Sequence, residues 1–226
     1  MHAKPDLRVV LKWMIAGSGS VIADVMRLTE TKNLRMTESD RLENPLEVAS
    51  ELRRFHNEGR PFGFELDDGD CWAEGFVAHV GEDFAILSRL HQRSWTNGYL
   101  AIRFSAIHKF GDSGDADFIC RAMQARNEEI PPVVPFRPIS MVEFLSVVCT
   151  QFPIVVVDDA VENNNDSGVA GTIQLIQDDK VHLKTISVDG YWLDGIHTIP
   201  VEDIEHVLFG SNYEDTLRLV GEMPPE

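Results

Sequence analysis

Two stretches of this chain carry one pattern. Gly75 to Leu87 aligns without a gap on Gly171 to Leu183, and the apolar positions coincide: Val77 with Ile173, Val80 with Ile176, Ala85 with Val181, Leu87 with Leu183. Self-similarity at a fixed period sets an architecture before any local element is assigned. Here it predicts a tandem pair of small units in place of one large core.

The match runs on in both directions. Leu46 to Phe55 parallels Met141 to Thr150, Pro61 parallels Pro153, and Ile102 to Ile107 parallels Ile199 to Ile204, with an offset that drifts between 92 and 97 residues. Most of the drift falls at Glu162 to Gly168, a polar stretch where insertion costs little. Each copy opens with a helix. The first has Asn44 as N-cap, Pro45 at the first helical position and Gly59 as stop, with Leu46, Val48, Ala49, Leu52 and Phe55 inward. The second opens on the capping box Ser140/Glu143, with Val142, Leu145, Val148 and Cys149 inward. Five short strands follow in each copy, near 61–66, 72–80, 83–90, 98–104 and 106–110, then 153–158, 168–176, 180–187, 190–199 and 202–208. Turn chemistry at Gly81-Glu82-Asp83 and Gln177-Asp178-Asp179 separates paired strands. Further helical stretches span Asp115 to Arg126 and Asn212 to Val220.

A helix, five short strands and a glycine early in the long second strand (Gly75, Gly171) resemble the Sm-like and SH3-like small β-barrels. The resemblance covers about residues 44–110 and 140–210 and implies an α+β, mainly β fold of two tandem helix-plus-barrel units. A bent second strand needs glycine because curvature brings backbones close. RNA-binding Sm-like proteins carry a basic or Arg-Gly pair between the last two strands. Here those turns read Arg103-Phe104-Ser105-Ala106 and Pro200-Val201-Glu202-Asp203, so the resemblance carries the fold and not the RNA chemistry. The expected division is 1–43, an N-terminal segment in which Leu7 to Ile15 reads as a strand or helical turn, Ala16 to Ser20 as a break and Val21 to Leu28 as an amphipathic helix; 44–126, first unit; 127–139, a proline-rich linker; and 140–226, second unit. Pro131, Pro132, Pro135 and Pro138 predict an extended, semi-rigid spacer. Independent barrels also predict that 61–110 and 153–208 do not merge into one sheet.

Charge is the next constraint. The net charge is −17, made of +1 on residues 1–60, −5 on 61–139 and −13 on 140–226. A surface so negative repels phosphate backbones, so no nucleic-acid partner is expected, although Arg53, Arg54 and Arg60 form a small basic cluster. It attracts a basic protein. No run of 18 apolar residues suggests a spanning helix, so no membrane partner is expected. Three cysteines, Cys71, Cys120 and Cys149, are widely spaced and odd in number, which reads as reduced thiols in a cytoplasmic protein.

No nucleophile, phosphate-loop or zinc motif occurs in a usable context, so no catalytic residue, cofactor or metal is assigned. Asp67-Asp68-Gly69-Asp70 and Asn163 to Gly168 are oxygen-rich but fit no calcium-loop register and read as solvated turns. Aromatic residues Trp72, Trp95, Tyr99, Tyr191 and Trp192 fall near strand ends, where they either cap cores or anchor a peptide. Tyr191 and Trp192, with Asp189 and Asp194 beside them and Glu202, Asp203 and Glu205 further on, are the expected partner-binding set. The leading expectation is a non-enzymatic binding or scaffold protein whose acidic second unit faces a basic partner. The alternative is an enzyme with a site in the groove between the units, built from Asp158, Asp159, His182 and His197.

Overall fold

The computed structural model describes residues 45–66, 71–91, 95–129, 134, 136–159 and 168–221. The readings made above for residues 1–43, for Asp67 to Asp70 and for most of Asn163 to Gly168 lie outside them.

Helix α1 (Pro45–Glu58) precedes strands β1 (Phe62–Leu66), β2 (Cys71–Val80), β3 (Phe84–His91), β4 (Trp95–Arg103) and β5 (Ile107–Asp112), followed by α2 (Ala116–Ala125). The second half repeats the order with α3 (Met141–Gln151), β6 (Val155–Asp159), β7 (Val169–Gln177), β8 (Lys180–Thr185), β9 (His197–Pro200), β10 (Ile204–Phe209) and α4 (Asn212–Gly221). Gly59, in the left-handed region at φ 62°, ends α1. The Ser140 hydroxyl accepts from Glu143 N, and the Glu143 carboxylate accepts from Ile139 N at 2.7 Å, which fixes the start of α3. Val142 is exposed; Met141, Phe144, Leu145 and Val148 face inward instead.

All strands pair antiparallel in one open sheet, in the order β5-β1-β2-β3-β4-β10-β6-β7-β8-β9. This corrects the expectation of two separate barrels: residues 61–110 and 153–208 do merge. The join is β4 against β10, with Ala101 opposite Val207 and Leu100 opposite Leu208. Each half is nonetheless strongly curled. β4 and β5 stand at opposite ends of their five-strand order, yet a three-residue 3-10 turn, Phe104–Ala106, connects them. Such a turn spans about 6 Å, whereas a flat sheet would hold the two strands about 19 Å apart. Val201–Asp203 makes the same short link between β9 and β10.

Two apolar clusters account for the merger. One gathers α1 with Phe62, Phe64, Leu87, Leu100 and Ile102, and also takes Val156 and Leu208 from the second half. The other gathers α3 with Val181, Leu183 and Phe209, and takes Phe84, Ile86 and Ala101 from the first. Alternate residues of β3, β4, β6 and β10 thus serve different cores, and these central strands are buried on both faces. The proline-rich segment is not a free spacer in its described part. Val134 and Phe136 are buried in the second cluster, and His79 Nε2 donates to the Pro138 carbonyl at 2.7 Å. Arg103 ties the seam from β4: its guanidinium donates to the carbonyls of Val201 and Ile204, both at 2.8 Å, and pairs with Asp83.

Candidate functional site at the seam

A cavity of about 460 Å³ opens where the second half meets the end of β3. Its walls come from Val156 on β6, Val169 and Ala170 on β7, Leu208 on β10, the start of α4, and the loop 187–196. That loop is where the structure departs most from the expected strand 190–199. Gly190 and Gly195 both lie in the left-handed region, at φ 82° and 81°. Ser187 N donates to Tyr191 O, Leu193 N to Thr185 O, and Ile186 bridges Trp192. The chain therefore folds into a small hydrogen-bonded hairpin before β9 begins, and β9 is left with four residues.

Two charged side chains of opposite sign line this site. Ser211 and Glu214 form a capping box at the start of α4: Glu214 Oε2 accepts from Ser211 N at 2.6 Å, and Ser211 Oγ accepts from Tyr213 N at 3.1 Å. This holds the Glu214 carboxylate in place although the residue is only 4% exposed. Arg89, on β3 of the other half, lines the same cavity and feels the Glu214 charge. Arg89 is half-buried, and loss of water around its guanidinium pulls it below its ordinary value, an effect that Glu214 opposes. Arginine stays charged through such a shift. Yet Arg89 makes no hydrogen bond and no close ion pair among the described residues. Burial, helped by Glu214 and Asp189, pushes the Tyr213 phenol up, so it remains a hydroxyl donor on the wall. His197 also contributes to the wall, and its Nε2 is buried with no hydrogen-bond partner among the described residues.

The expected partner-binding residues fall into two groups at opposite ends of β9, about 13 Å apart. Asp189, Tyr191, Trp192 and Asp194 lie on the loop before it; Glu202 and Asp203 lie on the 3-10 turn after it, with Glu205 on β10. Tyr191 is 73% exposed. Trp192 is a structural residue by contrast, half-buried against Ile154, Ile186 and Leu217 with its Nε1 donating to Gly221 O at 2.8 Å. Of the other aromatics, Tyr99 stacks on Phe209 in the core, and Trp95 lies under the Arg126 guanidinium at 4.2 Å.

The two histidines of the expected groove set do not come together. His182 stands opposite Thr198 and His197 opposite Leu183, so the two rings fall on opposite faces of the β8–β9 hairpin. Asp158 instead contacts His206 Nε2 at 3.2 Å, and Asp159 ends β6. Among the described residues no three His, Cys, Asp or Glu side chains converge as metal ligands. Arg54 pairs with Glu51 and Glu58, and Arg60 with Asp117, so these arginines of the basic cluster are already engaged. Cys120 and Cys149 are free, half-buried thiols pushed up by burial. No helix among the described residues is long and apolar enough to cross a membrane.

Sequence reasoning missed Arg89, Ser211 and Glu214. The signals were present: Arg89 stands two residues after the core position Leu87, where the second copy has Thr185, and Ser211-x-x-Glu214 is a capping-box spacing. No protein-family model matches this chain, and no curated protein matches it in sequence.

Proposed function

We propose that this protein is a non-enzymatic binding platform that recruits a basic protein through the loop 187–196 of its acidic half. One observation carries the reading. Val188, Tyr191, Leu193 and Ile196 are each between 47% and 73% exposed on this one loop. Asp189 and Asp194 stand among them, on the part of the chain with net charge −13. A clustered apolar crest among acids fits a partner segment that alternates apolar and basic side chains. The negative field steers such a segment in, and Tyr191 anchors it. Each half is further read as a small Sm-like or SH3-like barrel. The helix-first order, the curled five-strand set and the glycine in each second strand support that reading.

The test is fluorescence anisotropy with a labelled peptide of alternating lysine and leucine, and with its glutamate counterpart. The expected result is saturable binding of the lysine peptide only, weakened steeply by salt. Asp189→Asn with Asp194→Asn should slow association, and Tyr191→Ala should speed dissociation. Equal binding by the wild type and all these variants contradicts the proposal.

A further inference from the structure

Arg89 is a charged feature of the cavity that the partner reading leaves unused. Buried charged groups are normally satisfied by ion pairs or carbonyls, because desolvating an unpaired charge is costly. Arg103 in this same molecule shows the usual solution, with two carbonyls and a carboxylate around its guanidinium. Arg89 has neither. Glu214 is near enough to be felt but is held by the backbone of its own helix start. The guanidinium therefore keeps its forked set of donors available beside a cavity walled by Val156, Val169, Ala170, Ile186 and Leu208.

We propose that this cavity binds a small organic monocarboxylate with an apolar body, its carboxylate held by Arg89. Guanidinium and carboxylate match in a two-point hydrogen-bonded pair. A singly charged head suits the site better than a phosphate, because a second negative charge would meet Glu214 and the acidic half around it. The apolar walls take the rest of the molecule, and about 460 Å³ falls within the usual range for small-molecule sites. Glu214 acts as the counter-charge of the empty site. Tyr213, protonated on the wall, supplies a further donor.

The experiment is calorimetric titration of the full chain with hexanoate, octanoate and octanamide, which needs no protein partner and is read separately from the peptide assay. Octanoate should bind saturably. Hexanoate should bind more weakly by about three- to fourfold for each methylene removed. Octanamide, which keeps the apolar body and loses the charge, should bind at least about tenfold more weakly than octanoate. Arg89→Met should abolish the preference for carboxylate over amide, with the fold of the variant checked by its melting temperature; some loss is expected, since Glu214 then lacks its opposite charge. Glu214→Gln should tighten octanoate severalfold by removing the competing carboxylate; a purely structural Arg89–Glu214 contact would give no such gain. Equal affinity for octanoate and octanamide, a retained preference in Arg89→Met, or no saturable octanoate binding up to about 5 mM overturns the proposal. If Arg89→Met fails to fold, the octanamide comparison and Glu214→Gln still decide it.

Discussion

Gly171 and Gly75 show at single-residue scale why the two halves share a pattern. A Cβ on Gly171 would sit 2.4 Å from the Lys184 carbonyl oxygen, and one on Gly75 would sit 2.6 Å from that of Ser88. Both obstacles are backbone in a paired strand, so neither can swing away. Gly171→Ala should therefore destabilise the protein by about 1–3 kcal/mol. Gly114→Ala, with nothing within 4 Å of its Cβ, is the control and should stay within about 0.5 kcal/mol in the same denaturant titration. Arg103 is the residue that separates the halves in kind. It bonds across the seam from the last position of β4, whereas the matching last position of β9 is Pro200. Arg103→Ala strands the Val201 and Ile204 carbonyls, while the half-exposed Asp83 carboxylate turns to water. A loss of about 2–4 kcal/mol is expected, and a loss below about 0.5 kcal/mol in chemical denaturation would show that Arg103 does not hold the seam.

Among the elements, the segment before α3 has a pH signature. Burial, the largest effect, lowers His79 below its ordinary value, and its bond to Pro138 O opposes this. The unfolded chain then binds a proton that the folded chain resists, so stability rises with pH across the interval. His79's contribution should be complete above about pH 6.5 and should fall as the pH drops below that. His79→Gln, which keeps a donor and cannot charge, should flatten the profile between pH 5 and 7 in urea titrations; an unchanged slope refutes the assignment. Most elements were legible in the sequence because their signals are local. α3 starts at its capping box, and Asp178 and Asp179, both at positive φ, turn β7 into β8. What failed had tertiary causes. β9 was expected from residue 190, but two glycines and the bond from Trp192 to α4 fold 187–196 into the cavity wall. Arg89 was invisible as a site residue because its counterpart Glu214 lies far along the chain, on the other half.

At the scale of the whole molecule, the merged sheet was written in unbroken apolar runs. Phe84 to Leu87 and Ile154 to Val157 show no polar alternation, and a strand needs that only when one face is wet. These runs lie on β3 and at β6, which the seam covers on both sides. The remaining edges are β5 and β9. β9, which corresponds to the β4 edge used inside, has four residues and ends in Pro200, so it offers a further strand little to pair with. The account rests on the β4–β10 pairing, since it places Arg89 beside Glu214 and forms one body from two copies. Native-state amide hydrogen exchange tests it most directly. Amides of Tyr99 to Ile102 and His206 to Phe209 should exchange only with global unfolding, in a single cooperative transition. Early exchange of His206 to Phe209, with the halves melting in two separate steps, would contradict it.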